Sequence, residues 1–177
     1  MKRINGKILA IMLFLASLSG GLFLGTSFKL IFELTTFKPY GWNNDHPPVV
    51  ANCYGKDFSS MQMARAISYW KTLGYNVSSY VHDPSPDICK QEWVKGYITL
   101  RKSRSSSMEA NTLARTKRYT IGYTVLGAEI FYSPGAQNLD LINEHELGHA
   151  FGFGHIELDN HIMHPLYNNM GSRFWIP

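Results

Sequence analysis

The sequence is short of cysteine, of internal repetition and, over most of its length, of net charge. Two cysteines in 177 residues leave room for one bridge and no disulfide scaffold. No stretch repeats at a fixed period, which sets aside repeat architectures. The formal charge of +4 is not spread along the chain. Residues 1–39 carry five basic side chains (Lys2, Arg3, Lys7, Lys29 and Lys38) against one acid, Glu33, and the 12 basic and 12 acidic groups of residues 40–177 cancel. The basic excess therefore belongs to the N-terminus, where it argues for membrane targeting and against nucleic-acid binding. Length and apolar content fit one domain with a real core.

Charge is missing altogether from residues 8–28, which follow Lys2, Arg3 and Lys7. As a helix this run would be about 30 Å long, enough to cross the hydrocarbon of a bilayer. Residues 8–18 also have the length of a signal-peptide apolar core, with Ser17, Ser19, Gly20 and Gly21 small enough for a cleavage site. Residues 1–29 thus read as a cleaved signal or a single-pass signal anchor, and the length of the run favours the anchor. Either way the basic flank predicts a cytoplasmic N-terminus and an exported remainder. Residues 30–48, with Gly41, Asn43, Asn44, Asp45, Pro47 and Pro48, read as a linker. The folded domain is expected over 49–177.

Within it, residues 57–73 predict a helix, with Met61, Ala64, Ile67, Trp70 and Leu73 as its apolar stripe and Gly74 as its stop. Residues 75–81, a Pro-rich turn at 83–87, and strand-like runs at 94–101, 113–121 and 126–132 follow, the last two joined around Gly122. Cys53 and Cys89 bracket the first helix. In an exported domain a disulfide between them is the economical reading; two buried thiols, or Cys53 as an inhibitory thiolate, remain alternatives. Residues 90–118 carry eight basic groups against Glu92 and Glu109. A solvated face accounts for them, and a preference for acidic substrates is the weaker alternative. Asn76-Val77-Ser78 fits a glycosylation acceptor, a common tripeptide.

The most informative stretch is 144–155, E-H-E-L-G-H-A-F-G-F-G-H. His145, Glu146, His149, Gly152 and His155 fit H-E-x-x-H-x-x-G-x-x-H, a match expected by accident on the order of once in 100,000 such chains. On a helix His145 and His149 stand one turn apart on one face, so both imidazoles can meet one metal ion. Glu146 lies about 100° round, placed to act as a base beside the ion's open position. Gly152, able to adopt positive φ, lets the chain turn so that His155 comes in as third ligand. Three neutral imidazoles and an open fourth place mark a catalytic rather than a structural zinc site. Glu146 is the candidate that takes a proton from an activated water and returns it to a leaving amine. His46, His82, His161 and His164 lack such company and read as structural or solvent-facing.

With Met163 eight residues past His155, in Ile162-Met163-His164-Pro165-Leu166-Tyr167, the chain resembles the metzincin zinc peptidases, most closely the matrixins. The resemblance implies an α+β fold: a twisted, mostly parallel sheet with an antiparallel edge strand, two main helices and a Met-turn. It implies Met163 as a floor under the ligands, and Pro165 and Tyr167 in the wall of the S1′ pocket. Residues 113–121 would be the edge strand, with Ala114, Thr116 and Arg118 giving main-chain bonds to an extended peptide or protein substrate. One catalytic Zn2+ is implied. Ile156 stands where matrixins usually have Ser, and no Cys-switch propeptide or loops for structural zinc or calcium are recognisable. Only ten residues follow Tyr167, so a minimal, monomeric catalytic domain is expected. The leading expectation is an exported zinc endopeptidase, tethered to a membrane or secreted. The alternatives are a catalytically silent zinc-binding or adhesion module and a zinc amidase acting on cell-wall peptides.

Overall fold

The computed structural model describes residues 41–175 apart from 44, 104–107, 109 and 110. All belong to one unit of the chain, residues 38–176. The expected membrane segment, residues 8–28, lies outside the described residues. Among those described, no helix is long and apolar enough to cross a membrane.

Five strands, β1 (Val49–Asn52), β2 (Ser79–Val81), β3 (Tyr97–Lys102), β4 (Ala114–Ile121) and β5 (Thr124–Tyr132), form one sheet in the order β2-β1-β3-β5-β4. β1 pairs in parallel with β2 and β3, and β3 with β5, while β4 runs antiparallel to β5 at the edge. The helices are α1 (Ser60–Thr72), the short α2 (Pro86–Lys90) and α3 (Ile142–Ala150). This is the expected α+β architecture, with α2 forming in the Pro-rich stretch read as a turn. Pro86 at its first position supplies a φ suited to a helix start.

Ser59 caps α1 by accepting a hydrogen bond from the Gln62 amide, and Gly74, at φ 88°, stops it. The buried face of α1 is Met63, Ala66 and Trp70; of the expected stripe only Trp70 is fully buried, with Ile67 packed partly against the core. Met61 is 81% exposed, and Ala64 and Leu73 also face solvent. The reason is geometric. At 3.6 residues per turn, a spacing of three slips back about 60° per step, so residues nine apart face opposite ways. The i, i+3, i+7 set of Met63, Ala66 and Trp70 stays on one face.

Trp70 joins the layers. Its ring stacks on Phe153 at 5.4 Å, packs edge-on against Tyr75 and Phe174, and its Nε1 donates to Glu144 O at 2.7 Å. Arg65, five residues before it, pairs with Glu144 and Asp140 at 2.8 and 2.7 Å, so α1 grips the start of α3. Cys53 and Cys89 are joined in a disulfide with Cα atoms 5.3 Å apart, tying the end of β1 to α2. Beneath it Arg101 pairs with the buried Glu129 at 2.8 Å and donates to Cys89 O and Gln91 O. Lys102 and Lys117 meet Asp57 and Glu92. Much of the basic stretch at 90–118 is thus paired within the fold.

Residues 41 and 42 sit in the stretch read as a linker, yet they are docked on the domain. Gly41 bonds to Tyr123 and Val125 at the β4–β5 turn, and Trp42 Nε1 donates to Ala150 O at 2.9 Å.

Candidate metal centre and active site

α3 carries His145, Glu146 and His149, all beneath the edge strand. After Ala150 the chain leaves the helix through Phe151 and Gly152, the latter at φ 109°, where a side chain would be strained. Past that turn His155 comes back towards the helix. Its Nε2 lies 3.1 Å from that of His149, which in turn lies 3.0 Å from His145 Nε2. The three residues offer ligand atoms all within 4.8 Å of one another.

Hydrogen bonds on the far side of the rings decide what those nitrogens can do. His145 Nδ1 donates to Ile162 O and His149 Nδ1 to Phe153 O, each at 2.8 Å. A carbonyl can only accept, so both Nδ1 atoms carry the proton and both Nε2 atoms present lone pairs. Burial holds the rings neutral. It pulls His145 down to about 4 and His149 to about 3, against backbone hydrogen bonds that act the other way, and it lowers His155 as well. Lone pairs at such spacing repel one another unless a cation lies among them. A tetrahedral zinc with bonds of about 2.0–2.1 Å holds its ligands about 3.3 Å apart, close to the spacing here. The donor set fits zinc.

Glu146 lies beside this cluster, 3% exposed. Desolvation raises its carboxyl to about 7, opposed by a hydrogen bond from Thr116 Oγ1 to Oε2 at 2.6 Å. A carboxyl poised near neutrality can both take and give a proton.

Met163 is fully buried beneath the three histidines. Its turn is pinned on three sides: Ile156 N–H donates to Met163 O, Met163 N–H donates to His161 Nδ1, and Ile162 O receives His145. His161 in turn donates from Nε2 to Trp175 O. His161 and His164 are buried and hold this turn through hydrogen bonds with its backbone, which is the structural role read for them. The C-terminal residues act as a strap: Phe174 enters the Trp70 cluster, and Tyr69 donates to Ser172 O.

A cleft of about 520 Å³ runs past the cluster. Ala114, Thr116 and Arg118 line one side, and Pro165, Leu166, Tyr167 and Met170 line another. Ser133 N–H bonds to Leu113 O, which sets the ladder phase: Leu113, Arg115 and Lys117 carry the bonds to β5. By alternation the main-chain groups of Ala114, Thr116 and Arg118 point away from the sheet.

Several contributors carry no signature in the sequence. The side chains of Thr116 and Arg118 face α3, not solvent. Arg118 Nη1 donates to His149 O at 2.6 Å and to Phe153 O at 3.3 Å, and so braces the turn between the second and third histidines. Gly148 is a variable position of the motif, yet a Cβ there would lie 2.6 Å from Trp70 Cζ2 and closer still to Met163 Sδ. Strand alternation shows which residues share a face, but it does not reveal what that face meets 30 residues later.

The profile of the matrixin family matches residues 65–176, from the middle of α1 through the Met-turn to the strap. A comparison with curated proteins gives no match. Because the matched stretch covers well over half of the chain and contains all three converging histidines, the chain belongs to the matrixin family of zinc-dependent metallopeptidases.

Proposed function

We propose that this protein is an endopeptidase that cuts extended polypeptides, with Glu146 as its general base. The observation that carries this reading is the buried Glu146 carboxyl, raised to about 7 beside three converging imidazole nitrogens. A module that only bound zinc would have no use for it. His145, His149 and His155 are the residues that would hold the ion, and zinc bound there supplies a Lewis acid that polarises a carbonyl and acidifies a water.

Glu146 takes the proton as the water oxygen bonds to the scissile carbonyl carbon. It then gives that proton to the amide nitrogen as the C–N bond breaks, leaving a carboxylic acid and an amine. The exposed main-chain groups of Ala114, Thr116 and Arg118 support an extended substrate added to the sheet edge as a further strand. Pro165 and Tyr167, across the cleft, suit the wall of an S1′ pocket. The disulfide between Cys53 and Cys89 favours an oxidising compartment. With the basic flank and uncharged run of residues 1–28, it supports a domain held outside a membrane or secreted.

The full chain, purified with one zinc, is expected to cut unfolded casein. Chelation or Glu146→Ala should lower the rate by about a hundredfold or more. One zinc per chain with no polypeptide cut would make it a silent binding module. Cleavage confined to peptidoglycan peptides would make it an amidase.

A further inference from the structure

The hydrogen bond that the described residues give to the Glu146 carboxyl comes from the edge strand. Thr116 Oγ1 lies 2.6 Å from Glu146 Oε2 and 3.1 Å from the backbone carbonyl oxygen of the same residue. A hydroxyl has one hydrogen and two lone pairs. Oε2 is the nearer of the two oxygens, so the hydroxyl donates there and fixes the carboxylate against β4, at a buried position where an unmade hydrogen bond is costly.

We propose that Thr116 is the positioning residue of the general base, its hydroxyl holding the Glu146 carboxylate in one place between the edge strand and the three histidines. The proposal rests on the reading of Glu146 as the base. It also gives β4 a second task. The outward main-chain groups of Thr116 belong to the strand that would meet the substrate, while its side chain reaches the helix beneath. One residue then sets the distance between the bound peptide and the group that moves its proton.

The test is made on the full chain loaded with zinc, using Thr116→Val, which removes the hydroxyl at constant shape, and Thr116→Ser, which keeps it. Turnover of a quenched fluorescent peptide gives kcat and KM, a competing chelator gives zinc affinity, and thermal melting reports folding. Losing a hydrogen bond to a charged group predicts a fall in kcat of about tenfold to a hundredfold for the valine variant. KM, zinc affinity and melting should stay close to wild type, and serine should recover most of the turnover. If valine melts early, Thr116→Ala removes the same hydroxyl without adding a methyl group, and the same loss of kcat is expected.

A valine variant with unaltered kcat would overturn the proposal. So would a loss confined to KM, or a serine variant as impaired as valine. Glu146→Ala run in parallel separates the two ideas: wild-type turnover in that variant refutes the base itself, whatever Thr116 does.

Discussion

Gly148 stands between the two histidines that share its helix, and the space a side chain would take is already filled. Trp70 and Met163 occupy it, both fully buried. Gly148→Ala is predicted to cost about 1–3 kcal/mol through overpacking. This should be read as a lower urea midpoint together with weaker zinc binding, because the same contact supports the floor of the site. The buried imidazoles give a second prediction at this scale. In the unfolded chain His145 and His149 protonate near 6.5, whereas in the folded chain they do so at about 4 and about 3. Between these values the unfolded chain binds more protons, so stability falls as pH falls. Their contribution is whole above 6.5 and is lost progressively towards 3. Glu146, raised to about 7, acts the other way over the same range. The two imidazoles are therefore best read in a Glu146→Gln background, where the metal-free protein should show a lower urea midpoint at pH 5 than at pH 7. Equal midpoints in that background would mean that the rings are not held neutral by burial.

Among the elements, β4 and α3 form the working pair. At the end of α3 His149 O accepts the Gly152 N–H, and two distant side chains add to the capping: Trp42 at Ala150 O and Arg118 at His149 O. Arg118 also reaches Phe153 O, the acceptor that orients His149. Arg118→Met should weaken zinc binding by about tenfold, the usual cost of losing a group that orients a ligand. Competition with a chromogenic chelator measures it, and unchanged affinity would reduce Arg118 to a surface contact. The convergence of His145, His149 and His155 could be read from the sequence because they lie within one helix and one turn, where spacing alone sets direction. Thr116 and Arg118 could not, since their partners are some 30 residues away and depend on how a strand lies over a helix. The face of α1 was misread for a different reason. Several apolar residues spaced by three look periodic on paper, but on a real helix they wind round to the solvent side.

For the whole molecule, the sheet, two main helices and strap close around Trp70, and the one disulfide sits on the other side of the sheet order from β4. Removing it with Cys53→Ser and Cys89→Ser together should cost about 2–4 kcal/mol, since the bridge closes a loop of 36 residues. Zinc affinity should hardly change, because no ligand hydrogen bond passes through that edge. A parallel loss of zinc binding would show that the two ends of the sheet are coupled. The proposed endopeptidase activity depends on Glu146 beside three zinc-binding histidines. It is checked by mass-spectrometric mapping of products from a long unstructured polypeptide, wild type against Glu146→Ala at equal zinc occupancy. Internal cleavage sites that vanish with the alanine variant are expected. The same sites appearing with both proteins, or none with either, would contradict the proposal.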